Sequence, residues 1–423
     1  MSTETDIVIV GAGAAGIAAG VRLKAGGVPF VILEAQDRVG GRAWTDDATL
    51  PGVAFDRGCH WLHEAATNPY RAIADELGYA YDTGFRFDTR TYFLDGRRAS
   101  AAEADGIVAA LDDAYRRIHE AGERGLDIAA SRVLDGAGTW HPYIDLVIGL
   151  DTSATPDTVS VADMTGGVRI GDDFPVEAGY GTLVAAYGRG LDVALATPVT
   201  TVDWSGKGVA VTTARGTIRA RAAIVTASTS VLAEGGIRFT PALPDDTRTA
   251  IESLPLGCCE KIAFLLDAPL GDFGPCHTVG IDDPDAGRRR PVSLYLNPFG
   301  RPLAVVHTAG SYGADLAREG EAASIAFGLE TLVAAAGSDV RARVRGAAAT
   351  GWLADPFVRG AYSAALPGAA GSRTVLCRPV GGRILFAGEA ASPDAYASCH
   401  GAHASGIAAA EKALLGFTGE GRG

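Results

Sequence analysis

A two-part α/β fold is predicted for this chain: a doubly wound domain carrying a β-meander, interleaved with an α+β domain. Three observations predict it. A short apolar run, Asp6 to Val10, leads straight into a glycine-rich turn and a helical stretch. Three β-rich runs follow one another between residues 197 and 227. The chain, at 423 residues, is also longer than one core organises, since single cores stop growing near about 250–300 residues.

Composition narrows the function. With 47% hydrophobic and 21% charged residues, disorder and collagen-like repeats are excluded. The charges sum to 37 − 50 = −13, with no basic stretch beyond Arg288-Arg289-Arg290. Nucleic acid is therefore not expected as a partner, whereas a cationic ligand is attracted. The 56 Gly against 20 Pro point to tight turns and close approach of backbone to a ligand. Six Cys (59, 258, 259, 276, 377, 399) form no CxxC, which suits reduced thiols and a cytoplasmic location. The Cys258-Cys259 neighbours are read as packing. No basic region precedes an apolar run at the N-terminus, and no run approaches 18 apolar residues. Neither a signal peptide nor a membrane span is expected.

The first forty residues carry a nucleotide site. The β-branched run DIVIV suits a buried parallel strand. It is followed by Gly11-Ala12-Gly13-Ala14-Ala15-Gly16, a helical IAAGVRLKAGG, and a second strand, VPFVIL, ending on Glu34. This is the Rossmann-like dinucleotide fingerprint. Gly11 permits the turn, Gly13 lets a pyrophosphate approach, and Gly16 allows close helix–strand packing. The helix N-terminus, from Ala15 on, offers free N–H groups. Glu34 is placed to accept hydrogen bonds from a ribose. A glycine-rich loop that merely packs on a sheet leaves Glu34 unexplained.

After Glu34 and Ala35 comes QDRVGGRAWT. Paired glycines expose amide N–H groups, and Arg42 adds a cationic fork that matches a diphosphate. This segment resembles the flavin-containing amine oxidase superfamily, which includes monoamine and polyamine oxidases. There the Gly-Gly-Arg, here Gly40-Gly41-Arg42, contacts the FAD pyrophosphate. The resemblance recurs along almost the whole chain. FDRGCHWLH (55–63) is similar to the family's Gly-x-x-Trp-x-His beside the flavin ring. That implies contacts from Gly58, His60 and Trp61 and a substrate role for His63. The glycine that usually follows is Glu64 here. Trp61 stands where L-amino acid oxidases tend to carry an Arg for the substrate carboxylate, which argues against an amino-acid substrate.

Residues 101–134 read as an amphipathic helical region whose Ile107, Leu111, Tyr115 and Ile118 are expected in a core, not along a binding stripe. The runs TPVTTVDW, GVAVTTA and TIRARAAIVTA, separated by Gly-containing turns, predict a meander returning to the main sheet. By resemblance, Val199 pairs with the adenine and Thr226 lies near the cofactor. LPLGCCEKIAFLLD (254–267) is an apolar run with Lys261 inside it. A cation there is costly unless it has a partner or a purpose. Two bland possibilities are a pair with Glu260 and a side chain snorkelling from a strand end. In the family, a Lys at this position holds a water against flavin N5.

TGWLADPFVRGAYSAALPG (350–368) resembles the block that brings a Trp and a Tyr, here Trp352 and Tyr362, to the active site. Ala361 stands where monoamine oxidases link covalently to FAD, so non-covalent FAD is implied. In GRILFAGEAASPDAYASCHGAHASGIAAAEKAL (382–414), the resemblance assigns Gly388 and Glu389 to the cofactor's phosphate or ribityl portion. Ala397, Ser398 and Ala402 then fall at a helix start facing the flavin, where the dipole favours an anion. Ser398 replaces the second aromatic of the monoamine oxidase cage. His400 and His403 lack an acidic or Cys partner within the motif, so no metal is expected.

Because flavin motifs occur at both ends and in the middle, the domains are expected to be discontinuous. An FAD-binding domain gathers 1–80, 176–250 and 350–423, and a substrate domain gathers 81–175 and 251–349. The function implied is FAD-dependent oxidation of a primary or secondary amine, with dioxygen as the second substrate and hydrogen peroxide as a product. Catalysis is assigned to Lys261, Tyr362, Trp352 and His63, and a homodimer is the assembly expected. Two alternatives stay open at this level: a flavin dehydrogenase or desaturase acting on C–C bonds, and a protein whose FAD is structural.

Overall fold

The computed structural model describes residues 4–86, 91–134, 136, 138–167, 171–274, 277–282 and 290–420. Cys276, Arg288 and Arg289 lie outside them. A five-stranded parallel sheet has the order Ile384–Phe386, Ala222–Val225, Ile7–Val10, Phe30–Leu33, Val193–Ala194. Its central strand, IVIV, is buried on both faces. Ile7 and Ile9 face the helices Ala14–Ala25 and Cys399–Glu420, while Val8 and Val10 face the meander. This is the period-2 alternation of a strand with two covered sides. The two helices approach closely because they meet through small residues. A Cβ on Gly406 would lie 2.1 Å from the Ala15 carbonyl oxygen.

The meander forms as the turn pattern predicts. Gly216–Ala220, Val209–Thr213 and Val199–Asp203 pair antiparallel, and Arg238–Thr240 adds a parallel edge. Directly after Gly216–Ala220 the chain re-enters the parallel sheet as Ala222–Val225. The fold is thus the doubly wound α/β architecture with its meander.

A seven-stranded, mostly antiparallel sheet makes the second layer. Its order is Val344–Ala349, Cys259–Leu266, Leu303–Ala309, Pro291–Leu296, His277–Asp282, Thr91–Leu94, Arg97–Arg98. Alternation along Cys259–Leu266 sends Ile262, Phe264 and Leu266 into an apolar core shared with the helix Glu321–Ala336. Cys259 and Lys261 face the other way, into a large cavity.

The helical region expected over 101–134 is shorter than predicted. The helix Ala101–Glu123 opens on a Ser100–Glu103 capping box and stops at Arg124. Its stripe is not wholly core, which corrects the expectation from periodicity. Ile107 and Ile118 are buried; Leu111 packs against two apolar clusters and also lines the cavity, and the Tyr115 hydroxyl donates to Asp151 in the cavity wall. A helical period shows which side faces inward, not whether that side meets protein or a ligand space. Among the described residues, no helix is long and apolar enough to cross a membrane.

Candidate active site

The cavity holds about 870 Å³ and runs between the parallel and seven-stranded sheets. Its nucleotide end is built from backbone. Gly11 (φ 104°) ends the first strand in a conformation that suits glycine. Gly16 does not line the cavity: a Cβ there would lie 1.9 Å from the Gly11 carbonyl oxygen. Of the cofactor residues assigned from sequence, it alone sits behind the wall, in the packing role its spacing suggests. The Gly40 N–H donates to the Ala12 carbonyl at 2.8 Å, and a Cβ on Gly41 would sit 3.2 Å from the Gly13 Cα. Two glycine turns are therefore held edge to edge. The helix behind them has no side-chain cap at Gly13, which leaves its first N–H groups for an anion.

Glu34 closes this end. Its carboxylate accepts from the Ala12 N–H at 2.6 Å and the Gln36 N–H at 2.8 Å. Burial nevertheless pushes its pKa up. Arg42 bridges to the next part of the wall, donating to the Ala361 carbonyl at 2.8 Å and to Glu389 at 2.9 Å. Burial alone would raise the Glu389 pKa, but Arg42 first, then Arg373 and Ser363, bring it below the ordinary value. Glu389 also accepts from the Ala397 N–H at 3.1 Å, and Ala397 has φ 56°, unusual for a residue with a Cβ. Ser398 is a helix cap, its Oγ accepting from the Gly401 N–H at 3.0 Å. Ala15, Ala35, Gly58, Val199, Thr226, Gly388 and Ala402 also line the cavity.

The opposite end is built from side chains. Lys261 is buried, and its Nζ donates to the carbonyls of Asp56 at 2.8 Å and Gly58 at 2.6 Å. Burial lowers its pKa. It does not pair with Glu260, which turns to the Thr350 hydroxyl and the Leu353 N–H. Adjacent residues of a strand point to opposite faces, so that pair could not form. Trp61 packs among Phe85, Tyr295 and His307 in tilted and edge-on contacts, with centroids 5.7 to 6.1 Å away. Tyr362 lines the cavity with its hydroxyl on the Leu150 carbonyl. Trp352 also reaches the cavity wall, but it is buried, with Nε1 on the Arg57 carbonyl at 3.0 Å. His63 Nδ1 meets Asp173 at 3.0 Å.

Sequence reasoning missed two neighbours of Lys261. His307 lies directly across the sheet from it, in register, and burial pushes its pKa well down. Asp56, five residues before Trp61, holds His60 Nδ1 at 2.9 Å. Its signal was on the page as Asp56-x-x-x-His60, but nothing in sequence says that the pair would meet. Within its own motif His400 has no acidic partner, and the fold supplies one from outside it. Its Nε2 lies 3.1 Å from Glu64, which comes from a distant segment. Glu64, where the family has glycine, keeps the left-handed backbone (φ 54°). Among the described residues, no group of three or more His, Cys, Asp or Glu side chains could hold a metal.

Residues 14–139 and 140–414 match the family described as Flavin containing amine oxidoreductase. The chain belongs to that family. Relatives of this amine oxidoreductase include Polyamine oxidase 4 of Oryza sativa subsp. japonica, 28% identical, with 97% of this chain and 89% of that protein covered. Lysine-specific histone demethylase 2 of Homo sapiens is 25% identical over 96% of this chain and 53% of its own length. A solved structure of putrescine oxidase bound to putrescine superposes with a TM-score of 0.80, covering 97% of this chain and 99% of that one at 21% identity. The likeness is one of fold. The amine oxidoreductase acts on an amine, and its cofactor is FAD, held non-covalently. The two glycine turns, the uncapped helix and Arg42 fit a diphosphate. Ala361 supplies no sulfur for a covalent link. The family assignment does not favour the C–C dehydrogenase alternative.

Proposed function

We propose that this protein oxidises the C–N bond of a primary or secondary amine and returns the electrons to dioxygen. For a secondary amine, R₂CH–NHR′ + O₂ + H₂O gives R₂C=O + R′NH₂ + H₂O₂. When bound, the flavin supplies the acceptor for the hydride equivalent leaving the carbon beside nitrogen. The observation that carries the reading is the buried Lys261 at the aromatic end of a cavity whose other end fits a diphosphate.

Hydride loss needs the neutral amine. Trp61, Tyr295 and Tyr362 provide apolar walls, and the nearby Lys261 charge further disfavours an ammonium. Lys261 spends two N–H groups on carbonyls, and its third is assigned to a water or the substrate. His63, steadied by Asp173, orients the substrate. Trp352 supports the ring-binding wall, and Tyr362 faces the amine. The phosphate and ribose contacts are assigned to Gly11, Gly13, Ala15, Glu34, Ala35, Gly41, Arg42, Gly388 and Glu389. The ring and adenine contacts go to Gly58, His60, Trp61, Val199, Thr226, Ala397, Ser398 and Ala402. The relatives named for polyamines and putrescine support an aliphatic substrate, as do the wall carboxylates Glu64, Asp151 and Asp173.

The discontinuous division at 1–80, 176–250 and 350–423 against 81–175 and 251–349 belongs to this proposal. So do a cytoplasmic setting and a homodimer. The test is anaerobic mixing with primary amines, polyamines, aromatic amines and cyclic secondary amines, read by flavin absorbance, then admission of air and a peroxide assay. Bleaching by an amine and peroxide on reoxidation are expected. Bleaching only by unsaturated lipid or porphyrinogen precursors overturns the reading.

A further inference from the structure

The cavity continues beyond Lys261 along the seven-stranded sheet. Strand register sets Lys261 opposite His307, His307 opposite Ser293, Ser293 opposite Gly280, and Gly280 opposite Tyr92. Partners in register share a face, and all five line the cavity. Lys261 and Gly280 are three strand spacings apart, about 14 Å. The helix His141–Thr152 packs on the two middle strands of this row. It gives the cavity Tyr143, Leu146, Val147, Leu150 and Asp151, a single helical face. The slot between row and helix is closed at its far end by rings. Gly280 makes room for them: a Cβ there would lie 2.8 Å from the Tyr92 ring and 3.3 Å from that of Tyr143. The two rings meet edge-on at 5.7 Å. Both hydroxyls are buried, so the rings and not the oxygens face the slot.

We propose that this slot takes the chain of an unbranched alkyl monoamine, with the nitrogen at the Lys261 and Tyr362 end. The inference rests on the oxidase reading above and names its substrate class. Ser293 and Gly280 are small and Leu146, Val147 and Leu150 are apolar, so each methylene laid between them leaves water for apolar surface. A second ammonium at the closed end would be desolvated among rings. Among the described residues, Asp151 is the one carboxylate on the row or the helix face. It accepts from the Tyr115 hydroxyl, and it stands at the other end, since the Tyr362 hydroxyl donates to the adjacent Leu150 carbonyl. Glu64 and Asp173 belong to neither element and hold His400 and His63.

The test is anaerobic reduction of the FAD-bound protein by butylamine, hexylamine and octylamine, and by the diamines of the same three lengths. The second-order reduction constant should rise about fourfold per added methylene, and octylamine should exceed its diamine tenfold or more. Val147→Phe, which fills the slot from its half-buried helix wall, should lower the octylamine-to-butylamine ratio tenfold or more. Equal constants for the three monoamines, or a diamine faster than the monoamine of its length, overturn the chain slot and leave the oxidase reading in place. A wild-type ratio in Val147→Phe overturns the slot as well. A flavin that no amine bleaches overturns the oxidase reading and this substrate together.

Discussion

The two ends of the cavity are made of different material. At the nucleotide end the wall is mainly backbone, approachable because Gly11, Gly13, Gly40 and Gly41 carry no side chains. The Gly11 and Gly40 N–H groups are spent on the Leu33 and Ala12 carbonyls, which leaves the first N–H groups of the uncapped helix. At the amine end the wall is made of side chains, Lys261, His307, Trp61 and Tyr362, set by strand register and by loops far apart in sequence. Backbone sites need glycine at fixed spacings, so they are hard to vary and easy to read. Side-chain sites need only the right group on the right face, so they vary freely, and neighbours in space leave no mark in sequence.

That contrast can be broken most severely at the nucleotide end. Glu34→Ala combined with Arg42→Ala should yield colourless protein, and full retention of 450 nm absorbance would end the site assignment. Gly16→Val comes next. With 1.9 Å to the Gly11 oxygen, a side chain must push the helix off the turn. We expect a stability loss of about 1–3 kcal/mol from overpacking, together with weaker FAD retention in a denaturation and cofactor titration. Unchanged values would mean that the helix can move without cost.

At the amine end, Lys261→Met should keep FAD bound and slow flavin reduction or reoxidation tenfold or more. Unchanged rates would leave its buried cation without a catalytic role. The smallest effect concerns His403, whose pKa burial pushes down to about 4. In the unfolded chain its value is near 6.5. The folded state therefore binds fewer protons between those values, and stability is full above pH 6.5 and lost as pH falls towards 4. His403→Leu should remove about 3 kcal/mol of that fall, read as urea midpoints across the window. An identical slope in the variant would place the acid sensitivity elsewhere.

Much of the nucleotide end was legible: strand, glycines, helix and Glu34 stand in local register, and the parallel sheet follows from them. Lys261 was legible as a cation in an apolar run, and alternation alone separates it from Glu260. The partner of His400 was not, because Glu64 lies 336 positions away. The buried Arg373–Asp163 pair, 2.7 Å across a separation of 210, is hidden for the same reason. Leu111 was read as core alone, whereas it packs on two apolar clusters and also borders the cavity, because an apolar face that meets a cavity has the same periodicity as one that meets a core.

Sequence by itself determined the fold class, the glycine turns and the residue types available for amine chemistry. Each depends on interactions within about one strand–turn–helix unit, where spacing along the chain is spacing in space. Only the tertiary structure decided that His307 faces Lys261 and that Asp56 holds His60. Those depend on which faces of separately formed sheets are pressed together, and packing of that kind is a property of the whole chain rather than of any segment.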